Sequence, residues 1–198
     1  MTSTRAYTMT QRARSVQLTR RRILDASVAL HGERLAADIS LEDVARRAGV
    51  SVQTVLRHFG SRTGLFEASV QHGRAQVEAE RRTPVGDVAA AVRTIVDHYE
   101  RRGDGVLVML AQEPHQELMA RVTADGRRLH RGWVEEVFAP YLDASADREE
   151  LTDLLVVATD VYTWKLLRRD RGLARDLTEN RIHHLVRSLL GTAGPAHP

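Results

Sequence analysis

Apolar and polar residues between positions 40 and 64 follow the period of short α-helices. Four apolar residues recur at spacings of three and four, which places them on one helical face: Leu41, Val44, Ala45 and Ala48. Ser40 and Asp43 have the spacing of a capping box at the start of this helix. Gly49 follows its last apolar residue and can take the left-handed conformation that ends a helix. The pattern therefore predicts a short helix with one buried face.

A second short helix is predicted directly after the glycine. Ser51 is positioned to cap it, while Val55 and Phe59 turn inward. Its outward positions are polar or basic with one exception: Val52, Gln53, Thr54, Arg57 and His58. Because a helix of about eight residues does not bury a core alone, the pair needs a third helix, as in a helix-turn-helix. Together with Ser51, the outward face suits base edges and phosphates in a major groove. The alternative is a plain helical corner whose polar residues are only solvated.

The third helix is predicted upstream, from Leu18 onward. Its apolar stripe consists of Ile23, Ala26, Ala29 and Leu30. With Thr19 as its cap, Arg20, Arg21 and Arg22 lie in the first turn, where the helix dipole disfavours cations. That misfit indicates an external anion. Alternatively the helix starts near Gln11 and the three arginines are solvated in its middle. Residues 1–17 are predicted to form a flexible basic arm.

The rest of the chain also has helical periodicity, so the predicted fold class is all-α. Predicted helices cover residues 65–82, 87–102, 115–139, 151–169 and 177–190, with a break at Gly103 and Gly105 and a stop at Pro140. The predicted division is a three-helix unit over 18–64 and a second helical domain over 65–191. Residues 192–198 are predicted to be a frayed tail.

Charge strengthens the nucleic-acid interpretation. Residues 1–64 hold eleven arginines and five acidic residues, a net charge of +6, whereas the whole chain carries +3 and residues 65–198 therefore −3. A basic front third joined to a mildly acidic remainder is typical of a nucleic-acid binder with a separate second domain.

Several function classes are disfavoured by what the sequence lacks. It has no cysteine, no run of about eighteen apolar residues and no apolar leader, so we expect a cytoplasmic protein without disulfides or membrane contact. An all-α di-iron enzyme needs paired Glu-x-x-His motifs, and none occurs. We therefore expect no enzyme activity, no metal and no cofactor.

Residues 19–66 resemble the DNA-binding domain of the TetR family of transcriptional regulators; their sequence is TRRRILDASVALHGERLAADISLEDVARRAGVSVQTVLRHFGSRTGLF. The resemblance implies that residues 18–64 are a three-helix DNA-binding domain with its helix-turn-helix at 41–59, and that a second domain follows that binds a ligand and dimerises. It also implies site roles: phosphate contacts at Ser40, His58 and Arg62, and groove-facing positions at Val52, Gln53, Thr54 and Arg57. The chain departs from the family at Leu56, where a tyrosine is usual, at His31, where a core aromatic is usual, and in the loop at Leu35 and Ala36.

The last two predicted helices have more apolar surface than one partner covers. Residues 151–169 are apolar on nearly all sides, and residues 177–190 have an apolar stripe. We therefore predict a homodimer interface, with contacts at Leu151, Leu155, Ile182, Leu185, Val186 and Leu189. The alternative is that both helices complete the core of one molecule.

Polar groups within these apolar segments indicate an effector pocket. Asp160 and Trp164 are four residues apart on one helical face, and a buried carboxylate needs a partner. His130 and Trp133 on the preceding helix are predicted to face them; the alternative is ordinary core packing and an intramolecular salt bridge. The sequence thus predicts a dimeric repressor that binds double-stranded operator DNA and is released by an unidentified small-molecule effector. An effectorless architectural DNA binder remains the alternative.

Overall fold

The structure of the protein is a computed structural model that describes the backbone of residues 3–192 and the side chains of residues 13–191. Every regular element in this range is helical, which confirms the all-α prediction. The ten α-helices of the described range are α1 (Ser3–Glu33), α2 (Leu41–Ala48), α3 (Val52–Phe59), α4 (Arg62–Glu80), α5 (Val88–Gln112), α6 (Glu117–Val137), α7 (Ala139–Asp143), α8 (Arg148–Ala158), α9 (Val161–Lys165) and α10 (Arg175–Thr192). A short 3-10 helix covers Ala36–Asp38, and a π-helical turn covers Leu166–Asp170.

The chain divides into an N-terminal unit that ends at Gln76 and a C-terminal unit that begins at Val77. The predicted boundary lay between residues 64 and 65, at the start of α4. The division falls inside α4 instead, because that helix continues without interruption from Arg62 to Glu80.

The core of the N-terminal unit is formed by the apolar stripes of α1, α2 and α3. Its buried members are Ile23, Leu24, Ala26, Leu30, Ile39, Val44, Ala45, Ala48, Val55 and Leu65. Leu41 and Phe59 are partly buried and pack against this cluster. The periodicity read from the sequence therefore identified the buried faces of α1 and α2 and, apart from Val52, that of α3.

The start of α1 differs from the prediction. The helix begins at Ser3 rather than at Leu18, so Thr19 is not a cap. Residues 3–17 contain neither glycine nor proline, and nothing in them ends a helix. The three arginines at positions 20–22 consequently lie in the interior of α1, as in the alternative interpretation, and the unfavourable dipole does not apply. The side chains of residues 1–12 and the predicted tail beyond Thr192 lie outside the described residues.

The predicted break at Gly103 and Gly105 is wrong, because α5 runs through both glycines. Gly103 is buried against α9, where a Cβ atom at position 103 would lie 2.5 Å from the indole ring of Trp164. The glycine therefore allows a close approach of the Trp164 ring to α5. A glycine inside a helix costs about 1 kcal/mol relative to alanine, which the packing of this ring offsets.

The predicted single helix over 151–169 is interrupted at Thr159 and Asp160. The Asp160 carboxylate caps α9 by accepting a hydrogen bond from the backbone N–H of Tyr162 at 2.8 Å. Pro140 also begins a helix rather than only ending one, since it lies in the first turn of α7. Proline fits that position because the first backbone N–H groups of a helix have no partner within the helix.

The core of the C-terminal unit is a single cluster contributed by α5 to α10. Its largest fully buried side chains include Ile95, Phe138, Leu142, Leu155, Trp164 and Ile182. Within the described residues, no helix is both long enough and apolar enough to cross a membrane.

Candidate nucleic-acid interface

The turn between α2 and α3 has the geometry that its sequence predicts. Ser40 Oγ accepts a hydrogen bond from the Asp43 backbone N–H at 3.1 Å, and the Ser40 N–H donates to Asp43 Oδ2 at 3.1 Å. The Ser40 hydroxyl, which donates to Asp43 Oδ2 at 2.7 Å, and the Ser40 backbone N–H hold the pKa of the Asp43 carboxyl below its usual range. Gly49 ends α2 with a φ of 65°, in the left-handed region. The predicted capping box and glycine stop are both confirmed.

Ser51 caps α3 as predicted. Its Oγ accepts a hydrogen bond from the Thr54 backbone N–H at 3.2 Å and lies 3.0 Å from the Thr54 hydroxyl. The two hydroxyls therefore stabilise the start of α3 and each other.

The exposed face of α3 is formed by Gln53, Leu56 and Arg57. Val52 is half-buried and packs against the core of the N-terminal unit, which corrects its prediction as an outward residue. The reason is its phase: Val52, Val55 and Phe59 recur at spacings of three and four and form the inner face. Of the predicted groove-facing residues, Gln53 and Arg57 are therefore the two that are fully available.

Arg20 holds the end of α3. Its Nη1 donates a hydrogen bond to the carbonyl oxygen of His58 at 3.0 Å, and its guanidinium lies 4.4 Å from the centre of the Phe59 ring. The last carbonyls of a helix lack partners within that helix, so Arg20 supplies one from α1. This role was missed in the sequence because residues 20 and 58 are far apart in the chain. Burial, with the charges of Arg57 and Arg20, lowers the pKa of the His58 imidazole.

The other predicted phosphate-binding arginines differ in whether they already have a partner within the protein. Arg21 lies 3.8 Å from the carboxylate of Asp25, and Arg22 is exposed. Arg62 is the first residue of α4, and its Nη2 donates to the carbonyl of Ala36 at 2.8 Å. Arg62 therefore also binds the loop after α1, at one of the two loop positions where the sequence departs from the family.

His31, one of the departures from the TetR family noted in the sequence, is half-buried in the N-terminal unit. Its ring meets Phe66 edge-on at 5.1 Å, and its Nδ1 donates to the Ser27 carbonyl at 2.8 Å. Burial lowers the pKa of His31, which favours the neutral ring in this position.

Two of the four predicted effector residues contact each other in the C-terminal unit. The rings of His130 and Trp133 are stacked, with centres 5.8 Å apart. Trp164 instead packs on Tyr99, at 5.9 Å, and its Nε1 donates to Glu100 Oε1 at 2.9 Å. Trp164 has 0% of its surface exposed, so it is a core residue here. Asp160 is half-buried as the cap of α9, which corrects the prediction of a carboxylate inside one continuous helix.

The six residues predicted to form the dimer interface differ in their burial. Leu151, Leu155, Ile182 and Val186 are buried in the core of the C-terminal unit, so their assignment to an interface between copies is corrected. Leu185 is exposed, and Leu189 is half-buried. The apolar side chains that α8 and α10 expose besides Leu185 are different ones: Leu154, Val157 and Leu177. The sequence missed them because a helix that is apolar on nearly all sides does not indicate which face is buried.

Acid is expected to destabilise the C-terminal unit through its buried histidines. Burial and the charge of Arg81 lower the pKa of His130 from its ordinary value of 6.5 to about 3, and the same effects lower the pKa of His98 to about 3. Between pH 3 and pH 6.5 each of these histidines is protonated in the unfolded chain and neutral in the folded protein, so the unfolded chain binds more protons. The stability from each neutral ring is therefore complete above pH 6.5 and is lost as the pH falls towards 3, by about 2 kcal/mol per histidine at pH 5.

Thermal unfolding followed from pH 7.5 to pH 4.5 tests this expectation. His130→Gln should make the fall of Tm with decreasing pH shallower than in the wild type. His115→Gln, at an exposed histidine between α5 and α6, is the matched control and should leave that slope unchanged. Equal slopes for the wild type and His130→Gln would contradict the buried neutral ring.

A capped helix-turn-helix with an exposed polar face, joined to a second helical unit, defines a two-unit DNA-binding regulator. Residues 23–69 match the family model of bacterial regulatory proteins of the tetR family. Over these residues the chain has the N-terminal helix-turn-helix domain of the tetR family, and the resemblance to TetR-family transcriptional regulators seen in the sequence is confirmed.

Similar proteins agree with this class. The chain is 29% identical over 140 residues to the HTH-type transcriptional repressor NicS of Pseudomonas putida, a match covering 67% of this chain and 66% of that protein. It is 29% identical over 146 residues to the HTH-type transcriptional repressor LfrR of Mycolicibacterium smegmatis, covering 64% and 76%. A crystal structure of a transcriptional regulator from Rhodococcus sp. Rha1 has the same fold, with a TM-score of 0.67, 17% identity and coverage of 90% and 99%. These relatives are regulators and not enzymes, in agreement with the expectation from the sequence.

Proposed function

We propose that this protein is a homodimeric transcriptional repressor, acting in the cytoplasm, that leaves its operator when a small-molecule effector binds the C-terminal unit. The observation that carries the proposal is the exposed face of α3. Gln53 and Arg57 lie on this face, and hydrogen bonds to Ser51 at the start of the helix and from Arg20 at its end hold the helix in place. Both curated relatives described above are named repressors, which supports repression rather than activation.

Base recognition is assigned to Gln53 and Arg57. Glutamine pairs with the edge of adenine and arginine with that of guanine when a helix lies in the major groove. The cap from Ser51 and the hydrogen bond from Arg20 hold α3 in place before DNA arrives. A preorganised reading helix loses less conformational entropy on binding, which favours specific recognition by this face.

Contacts to the DNA backbone are assigned to the residues around α3. In addition to the Ser51 and Thr54 hydroxyls at its start, they are Ser40, Arg22, His58 and Arg62. These residues are partly or fully exposed, and their positions in the sequence match the phosphate contacts of the family or lie in the basic segment of α1. Such contacts orient the protein on the duplex but do not specify sequence.

Dimerisation is assigned to the apolar side chains that α8 and α10 leave exposed. Val157 is 64% exposed and Leu185 41% exposed, although both helices pack against the core of their own unit. A second copy that covers these side chains sets the separation of two α3 helices, and that separation must match successive major grooves. An effector with a higher affinity for another separation shifts the population away from the DNA-bound state.

The second candidate is an architectural DNA binder without an effector. A buried cluster of polar groups in the C-terminal unit, around Arg81 and His130, favours the ligand-responsive repressor. A domain that only dimerises has no need of buried polar groups, whose desolvation is costly.

The assignment of base and backbone contacts is tested by fluorescence anisotropy at several salt concentrations. The DNAs are a site selected from random sequence and its scrambled version. Gln53→Ala should cost about 1–3 kcal/mol on the selected site, relax the preference at one or two base pairs and leave the salt slope unchanged. Arg62→Ala should weaken binding to both DNAs and reduce the slope by about one per half-site.

Two controls accompany this experiment. Gln71→Ala removes an exposed glutamine from α4 and should leave both DNAs bound as tightly as by the wild type. The Tm of Arg62→Ala must be measured as well, because Arg62 also binds the Ala36 carbonyl. If Gln53→Ala weakened both DNAs equally, Gln53 would not face the bases.

A further inference from the structure

Arg81 is a buried cation in the interior of the C-terminal unit. It is the first residue after α4, and only 8% of its surface is exposed. Its neighbours come from several elements: Tyr99 from α5, His130 and Trp133 from α6, and Thr159 from the end of α8 beyond His130. Arginine is rarely buried without an anionic partner, so its partners decide its role.

The guanidinium has few contacts for a buried charge. Its Nη1 donates to Nδ1 of His130 at 3.3 Å, its side chain also interacts with the Tyr99 hydroxyl, and its centre lies 5.7 Å from the centre of the Tyr99 ring. Its Nε has no hydrogen-bond partner. Trp133 Nε1 donates at 2.9 Å to the backbone carbonyl of Arg81, not to its side chain. In the described part of the chain, no carboxylate forms an ion pair with the Arg81 side chain.

Neither aromatic neighbour supplies a negative charge. His130 accepts from Arg81 at Nδ1, so its proton is at Nε2, which donates to Thr159 Oγ1 at 3.2 Å. This hydrogen-bond pattern requires a neutral ring. The Tyr99 hydroxyl donates to the Thr159 carbonyl at 3.1 Å, and burial raises the pKa of this phenol. Tyr99 is therefore not a phenolate.

The nearest acidic residues have other partners. Glu80 binds Arg102 at 2.6 Å and His98 at 3.1 Å. Asp160 caps α9 and acts on Arg81 only over a longer distance. A guanidinium stays charged in proteins, and an uncompensated buried charge costs several kcal/mol. Within the described residues, the positive charge of Arg81 therefore has no directly paired carboxylate, and Asp160 and Glu80 act on it only from a distance.

We infer that Arg81 binds the carboxylate of a small organic acid, and that this acid is the class of effector the C-terminal unit takes. The planar guanidinium matches a carboxylate in two parallel hydrogen bonds. The aromatic rings of Tyr99, His130 and Trp133 lie beside it and suit a flat apolar body. The identification of this acid as an effector rests on the proposed function. The anion site itself is inferred from the contacts of Arg81 alone.

The site is tested with the full-length protein by isothermal titration calorimetry and thermal unfolding. The probes are benzoate, phenylacetate and cinnamate, each compared with its neutral amide. At least one acid should bind about tenfold more tightly than its amide. Arg81→Gln should remove that preference, while Arg82→Gln should retain it, because Arg82 is exposed and adjacent. If no acid is preferred over its amide, or if Arg81→Gln keeps the preference, the inference is overturned.

The ligand-free proteins provide a second measurement that does not need a probe. Removal of an uncompensated buried charge should leave the Tm of Arg81→Met equal to or above that of the wild type. A large decrease in Tm would instead identify Arg81 as a structural residue and overturn the inference. Arg81→Met should also lose the stabilisation by the acid that binds the wild type.

Release of the selected DNA by the same acid separates this inference from the proposed function. If the acid binds through Arg81 without releasing DNA, the anion site stands and the effector-controlled repressor fails. If the acid releases DNA from Arg81→Gln as readily as from the wild type, the repressor stands and the assignment of Arg81 fails.

Discussion

Val157→Arg is expected to give monomers and to weaken binding to the selected operator by about 100-fold or more, because two linked half-sites bind far more tightly than one. Val157 is largely exposed on α8, so an arginine there does not disturb the core of the C-terminal unit. In an interface between copies, the same arginine buries an unpaired charge. Leu185→Arg on α10 should have the same effect.

Sedimentation equilibrium measures the oligomeric state, and anisotropy with one-half-site and two-half-site DNA measures the affinity. Val85→Arg is the matched control, since Val85 is also an exposed valine but lies before α5. It should remain dimeric. A Val157→Arg protein that remains dimeric, with full affinity for the two-half-site DNA, would place the interface on another surface.

Trp164→Ala is expected to destabilise the C-terminal unit by about 3–5 kcal/mol, the usual cost of truncating a buried tryptophan. The Trp164 ring packs against Gly103 and Tyr99, Arg169 lies over it at 4.4 Å, and its Nε1 binds Glu100. The substitution leaves a cavity and removes a hydrogen-bond donor from Glu100. The sequence analysis predicted Trp164 in an effector pocket, with core packing as the alternative, and the contacts of the ring agree with that alternative.

Urea denaturation followed by circular dichroism measures this effect. Tyr162→Ala, at an exposed aromatic residue of the same helix α9, is the control and should cost less than about 1 kcal/mol. Trp164→Ala and Tyr162→Ala of equal stability would mean that Trp164 is not part of the core. In that case a ligand-binding role for Trp164 would become the better interpretation.

The N-terminal unit was predictable because its signals are local. The capping box of Ser40 and Asp43, the left-handed glycine after α2 and the cap at Ser51 each involve residues within a few positions of one another. The apolar stripes of the helices in this unit are narrow, so the periodicity of each helix shows which of its faces is buried. The exceptions are Val52, which was predicted to face outward although it packs on the core, and the start of α1, which was predicted at Leu18 rather than Ser3.

The C-terminal unit was less predictable because its helices are apolar on several sides. In α8 and α10 the period alone does not distinguish the face that meets the core from a face that meets a second copy. Leu155 and Leu154 are neighbours in the sequence, yet only the packing decides that Leu155 is buried and Leu154 exposed. The candidate dimer residues therefore changed, while the candidate helices remained.

By itself, the sequence determined the class of fold, the helix-turn-helix and the basic front of the chain, because periodicity, caps and charge are properties of neighbouring residues. Only the tertiary structure revealed that Arg20 fastens α3, that Gly103 receives the Trp164 ring and that Arg81 is a buried cation beside His130. These contacts join residues from 38 to 61 positions apart. Burial and pairing at such distances are set by the packing of whole helices, and no local pattern records them.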